Sequence, residues 1–153
     1  MSITTSDLHC ITAQDVADFP EHLPAVFLEL APVLGTDAVL KLFNTCPGSQ
    51  WRVPRPASNN KAGELQREKL AAVIGLEATR RLAEHMPCQM LNVPICKKLL
   101  NAKINRFVRA RYDALTVGPT SQSWATAIVT ICTELHALGR ARTYRQIQTI
   151  INS

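Results

Sequence analysis

The stretch from Leu30 to Arg55 returns, in most of its pattern, forty residues later as Leu70 to Ile95, and this duplication limits the possible folds more than any other feature of the chain. Without a gap, LAPVLGTDAVLKLFNTCPGSQWRVPR lies over LAAVIGLEATRRLAEHMPCQMLNVPI. The matches include Leu30/Leu70, Val33/Val73, Gly35/Gly75, Ala38/Ala78, Leu42/Leu82, Pro47/Pro87, Val53/Val93 and Pro54/Pro94. Glycines and prolines set the backbone, and the apolar residues recur at helical spacing, so the repeated element is architectural. Each copy reads as helix, Gly, helix, turn and short strand. A strand of four or five residues needs a partner for its backbone groups, and the nearest one available to each copy is the other copy. Antiparallel pairing would relate the copies by a local twofold axis, so that one chain imitates a homodimer.

In chain order, residues 1–12 are polar and unpatterned and read as a loose arm, and Ala13 to Phe19 as a short helix. Leu23 to Leu34 carries an apolar stripe at i, i+3, i+4 and i+7, with Pro32 expected to kink or close the helix. Gly35 ends it, and Thr36 is the expected cap of a helix over Asp37 to Thr45. Gln50 to Val53 reads as an edge strand closed by Pro54, and PRPASNNKAG as a loop. The second copy gives helices over Glu64 to Ile74 and Glu77 to Met86 and a strand over Gln89 to Val93. Beyond Pro94 the copies diverge. A long helix is expected over Ile95 to Leu115, then a turn at Gly118-Pro119. Gln122 to Leu138, capped by Ser121, is apolar nearly all round and reads as central to the core. A last helix runs over Thr143 to Ile151.

The expected fold class is therefore mainly α: a helical bundle with a small two-stranded antiparallel ribbon. The pseudo-twofold repeat occupies residues 13–95, with copies at 30–55 and 70–95, and a basic helical region follows at 96–153.

Chemistry is sparse. Cys10, Cys46, Cys88, Cys96 and Cys132 make an odd set with no CxxC pair, which implies reduced thiols in a cytoplasmic protein. His85, Cys88 and Cys96 fit no zinc spacing, and no metal or cofactor is expected. There is no phosphate-binding glycine loop, GxSxG or HExxH, and the carboxylates occur singly, so no catalytic residue is nominated. No apolar run is long enough for a membrane span.

What remains is basic. Against 12 acidic residues the chain has 17 Lys and Arg, and the excess concentrates in the last third. The long helix offers Lys97, Lys98, Lys103, Arg106, Arg109 and Arg111, with Lys103, Arg106 and Arg109 at i+3 steps on a side away from the apolar stripe. The segment GRARTYRQIQ adds Arg140, Arg142, Tyr144, Arg145, Gln146 and Gln148, which mixes phosphate-binding cations with side chains able to read base edges.

The order of apolar helix, Gly, helix, turn, strand ending in Val/Ile-Pro and long basic helix resembles the Mor/C family of transcription activators from Mu-like bacteriophages. Gln89-Met90-Leu91-Asn92-Val93-Pro94 is similar to the family's strand, Lys98 to Leu115 to the helix after it, and Glu134 to Ile147 to its final recognition segment. The resemblance implies a dimerisation unit followed by a helix-turn-helix, double-stranded DNA as partner, and a host protein such as RNA polymerase as a second. It departs in holding two dimerisation units per chain, so a monomeric pseudo-dimer stands beside the homodimer. It also departs in the length of Gln122 to Leu138. The expected function is a non-enzymatic, sequence-specific DNA-binding regulator. The alternative is a phage or mobile-element interaction module whose basic faces dock an acidic protein surface.

Overall fold

The computed structural model describes residues 8–56, 60–119 and 121–153. The elements are α1 (Ala13–Asp18), a 3-10 turn (Pro20–His22), α2 (Ala25–Leu34), α3 (Thr36–Thr45), β1 (Gln50–Arg52), α4 (Lys61–Ile74), α5 (Leu76–His85), β2 (Met90–Asn92), α6 (Lys97–Thr116), α7 (Trp124–Ala137) and α8 (Tyr144–Asn152). The protein is mainly helical with one two-stranded antiparallel ribbon, as its periodicities predict. It divides into two compact units: Ile11–Lys97, and Lys98–Ser153 together with residues 8–10.

In the first unit the duplication is visible bond by bond. β1 pairs with β2 antiparallel in the register Gln50 to Asn92, Trp51 to Leu91 and Arg52 to Met90. Trp51 and Leu91 are repeat equivalents, so the local twofold axis passes between them. The flanking hydrogen bonds obey the same axis. Gly48 N donates to Val93 O at 2.9 Å and its counterpart Cys88 N to Val53 O at 3.0 Å, while Val53 N donates to Gln89 O at 2.9 Å and Val93 N to Ser49 O at 2.8 Å. Even an unfavourable conformation is kept. Gly48 has φ +77°, and Cys88, which holds the equivalent place, adopts φ +60° despite its side chain.

The helices interlock across the copies: α2 packs on α3 of its own copy and on α5 of the other, and α4 packs on α5 and on α3. Their shared core takes equivalent residues from each copy, Leu30 and Leu70, Leu34 and Ile74, Leu42 and Leu82, Val53 and Val93, all buried. Phe43, in edge contact with Phe27 at 6.2 Å, holds the place that Ala83 holds in the second copy. Helices α2 to α5 thus form a four-helix bundle closed by the ribbon, with each copy completing the other's core.

Local corrections have local causes. The helices after the repeat glycines are not capped by side chains. Thr36 is the first helical residue, and Gly35 (φ 88°, ψ 148°) and Gly75 (φ 90°, ψ 160°) serve at once as the end of one helix and the start of the next. Pro32 does not close α2, which continues to Leu34 with the ring exposed. Each strand is three residues long. The expected loop shortens because Asn60 caps α4, its side-chain oxygen accepting from Gly63 N at 2.6 Å, so Lys61 to Gly63 are already helical. The arm is not loose where it is described. Ile11 is buried, and Asn44 fixes it by accepting from Ile11 N and donating to Ile11 O, both at 2.8 Å. Residues 1–7 of the expected arm lie outside the described residues.

Candidate nucleic-acid interface

The second unit is a three-helix assembly. Ile104 and Val108 from α6, Ile128, Ile131 and Leu135 from α7, and Ile147 from α8 form its core with Leu8. α7 begins at Trp124 and not at Gln122, because Ser121 N donates to Gly118 O and Gln122 N to Leu115 O, which holds both residues in the turn. Ser123 is the cap, accepting from Thr126 N at 3.3 Å. The helix is also less buried than its composition predicts: Trp124 is 54% and Val129 55% exposed. A six-residue connection through Gly139 (φ 74°) leads to α8. There Thr143 and Gln146 form a reciprocal capping box, with Gln146 N donating to Thr143 Oγ1 at 3.2 Å and Thr143 N to Gln146 Oε1 at 2.9 Å.

The structure sorts the basic residues into two groups. Four of them hold the fold. Lys103 is buried, not on the charged side of α6, and donates to Cys10 O at 2.7 Å. Arg140 Nε donates to Leu8 O at 3.3 Å, and the His9 ring lies 3.0 Å from Leu138 O, so the segment 8–10 is tied down by groups from two directions. A buried backbone carbonyl needs a donor, and a lysine with a long apolar stem can supply one from the core. Arg111 grips Glu134 bidentately, with N to O distances of 2.7–3.0 Å, and joins α6 to α7. The carboxylate raises the Arg111 pKa further and keeps this guanidinium charged. Arg142 is half-buried and donates to Asn101 Oδ1 at 3.2 Å and to Ala141 O at 3.1 Å. Gln146, expected to read bases, is engaged in the capping box.

The other group faces solvent: Lys97 and Lys98 in the first turn of α6, Arg106 and Arg109 further along it, and Arg145 on α8. Arg109 reaches the end of α8 by donating to Ser153 Oγ at 2.7 Å. With Ile147 buried and Ile150 and Ile151 half-buried on its inner side, α8 turns Arg145, Thr149 and Asn152 outward, flanked by Gln148. Tyr144 leans on Trp124 with ring centroids 6.4 Å apart. Thr149 and Asn152 escape sequence reasoning because single uncharged polar residues give no signal by type; their place on the helix is the only clue.

The cysteines are unbridged, and among the described residues no three His, Cys, Asp or Glu side chains gather to hold a metal ion. Burial pushes the Cys96 thiol up to about 11 and raises that of Cys132, whereas Cys88 is exposed. Alkylation needs the thiolate, so at mildly alkaline pH iodoacetamide should modify Cys88 at least about tenfold faster than Cys96 in the native protein. Mass spectrometry of timed samples measures the ratio, and equal rates would contradict the burial of Cys96.

Comparison with protein-family models, curated proteins and solved structures finds no match. Among the described residues no helix is long and apolar enough to cross a membrane. The functional reading therefore rests on the geometry of α6 to α8.

Proposed function

We propose that this chain is a non-enzymatic, sequence-specific DNA-binding regulator, similar to the phage Mor/C activators, which acts in the cytoplasm and presents α8 to the major groove of double-stranded DNA. One observation carries the reading. α8 is a short, capped helix with Arg145, Thr149 and Asn152 on its outer face and the Arg109 guanidinium at its far end. A major groove admits one α-helix, arginine and amide side chains read its base edges, and a cation at the end of the helix suits the phosphates that border the groove. The shortening of α7 to fourteen residues brings the α7–turn–α8 segment nearer to helix-turn-helix proportions than the sequence predicts. Because the ribbon is paired within the chain, the protein acts as a monomeric pseudo-dimer on one asymmetric site, and a host protein such as RNA polymerase is its second partner in the activator reading.

The test is binding to a randomised duplex pool, followed by titration of the selected site at several salt concentrations. Arg145→Ala should weaken the preferred site by about 1–3 kcal/mol and unrelated duplexes much less. Arg106→Ala with Arg109→Ala should weaken all duplexes alike and flatten the slope of log K against log salt by about 0.9 for each phosphate that is no longer neutralised. Should neither change duplex affinity, while Arg145→Ala abolishes binding to an acidic host protein, the interaction-module reading replaces this one.

A further inference from the structure

We propose that the second unit has a binding site for a nucleobase, in the cavity of about 210 Å³ between its three helices. Tyr112 from α6 and Trp124 from α7 provide aromatic walls, Ile128 and Ile151 an apolar floor, and Gln148 and Asn152 from α8 two carboxamides. Three features point to a planar heterocycle with a hydrogen-bonding edge. First, Trp124 lines the cavity yet is the most water-exposed aromatic residue of the unit at 54%, although burying an indole is among the most favourable contacts a core can make, and an exposed indole can stack on a base. Second, neither the half-buried Gln148 side chain nor that of Asn152 has a hydrogen-bond partner among the described residues, and a carboxamide supplies the paired donor and acceptor that a base edge matches. Third, Arg109 donates to Ser153 Oγ, which brings a guanidinium to the residue next to Asn152, where it can meet the phosphate attached to a base in the cavity.

Asn152 and Arg109 are common to this site and the outer face of α8, but Tyr112, Trp124 and Ile128 belong to the cavity alone and Arg145 and Thr149 to the outer face alone, so the site does not depend on the duplex reading. The base can come from a free nucleotide or from an unpaired position in a strand, and the experiment separates the two sources.

Indole emission, excited at the red edge of its band, should be followed while the full-length protein is titrated with the four nucleoside monophosphates, with inorganic phosphate, and with a single-stranded oligonucleotide. A saturable quench by at least one monophosphate is expected. It should vanish in Trp124→Leu, an exposed position where circular dichroism checks the fold, and Gln148→Ala should weaken binding by about three- to tenfold, the loss of one hydrogen bond. An oligonucleotide that acts at far lower concentration than the monophosphate identifies a base in a strand as the source, whereas equal potency identifies the free nucleotide. Arg145→Ala should leave the quench intact, so this site and the duplex-binding face can fail separately. The proposal is overturned if no monophosphate or oligonucleotide quenches, if phosphate alone reproduces the effect, or if Gln148→Ala binds as the parent does.

Discussion

Leu70→Ala should lower the free energy of unfolding by about 2–5 kcal/mol, and Leu30→Ala, its repeat equivalent, by a similar amount. Both side chains lie in the interlocked core of α2 to α5, at 0% and 1% exposure. The loss combines the transfer of buried methyl and methylene groups with a cavity that close-packed neighbours cannot collapse to fill. Against a total stability of about 5–15 kcal/mol for a typical domain, either change is large. Urea denaturation followed by circular dichroism measures it, with Leu28→Ala as the control, since that leucine is 60% exposed and its truncation should stay within about 0.5 kcal/mol. The interlocked arrangement makes a further demand. Because each copy completes the other's core, the two alanine variants should unfold the first unit in the same cooperative transition; separate transitions for the two copies would refute the shared core.

The second large effect concerns Gly35 and Gly75. Each joins two helices at φ near +90° with ψ of 148° or 160°, a region beyond the left-handed helix that is nearly closed to any residue with a Cβ. No heavy atom lies within 4 Å of the place where a Cβ would stand at either position, so the penalty is one of backbone conformation alone. Gly35→Ala and Gly75→Ala should therefore each cost about 1–3 kcal/mol, and the cost should not depend on side-chain size. Asparagine is informative here: it tolerates the left-handed helical region, but not this one, so Gly75→Asn should be as harmful as Gly75→Ala. Thermal or urea unfolding of the three variants decides the matter. An asparagine variant close to the parent in stability would mean that the bend is not as described.

Most of the first unit could be read in the sequence because its signals are local and stated twice. Gly35 and Gly75 break the helices by a property of their own backbone, and the apolar periodicity fixes the inner face of each helix. The pairing of Trp51 with Leu91 follows from two equal strands that have no other neighbour with which to satisfy their hydrogen bonds. The start of α7 was less legible: Ser121 and Ser123 are equally good caps by type, and only the bonds that hold residues 121 and 122 in the turn choose between them. The same holds for the candidate site. Its placement on the last helices is visible in the concentration of cations, and the outward position of Arg145 follows from the stripe of Ile147, Ile150 and Ile151.

What the sequence could not decide is which cations are available to a partner. Lys103, Arg106 and Arg109 are evenly spaced on one helix, yet Lys103 is turned into the core by the carbonyl of Cys10, ninety-three residues away in the chain. Arg111 is held by Glu134, and Arg140 by Leu8 O. Helix period and residue type are properties of a short window of chain and act before the fold is complete. The partner of a long charged side chain is a property of the closed structure, because a carbonyl or carboxylate partly withdrawn from water demands a donor wherever in the sequence that donor comes from.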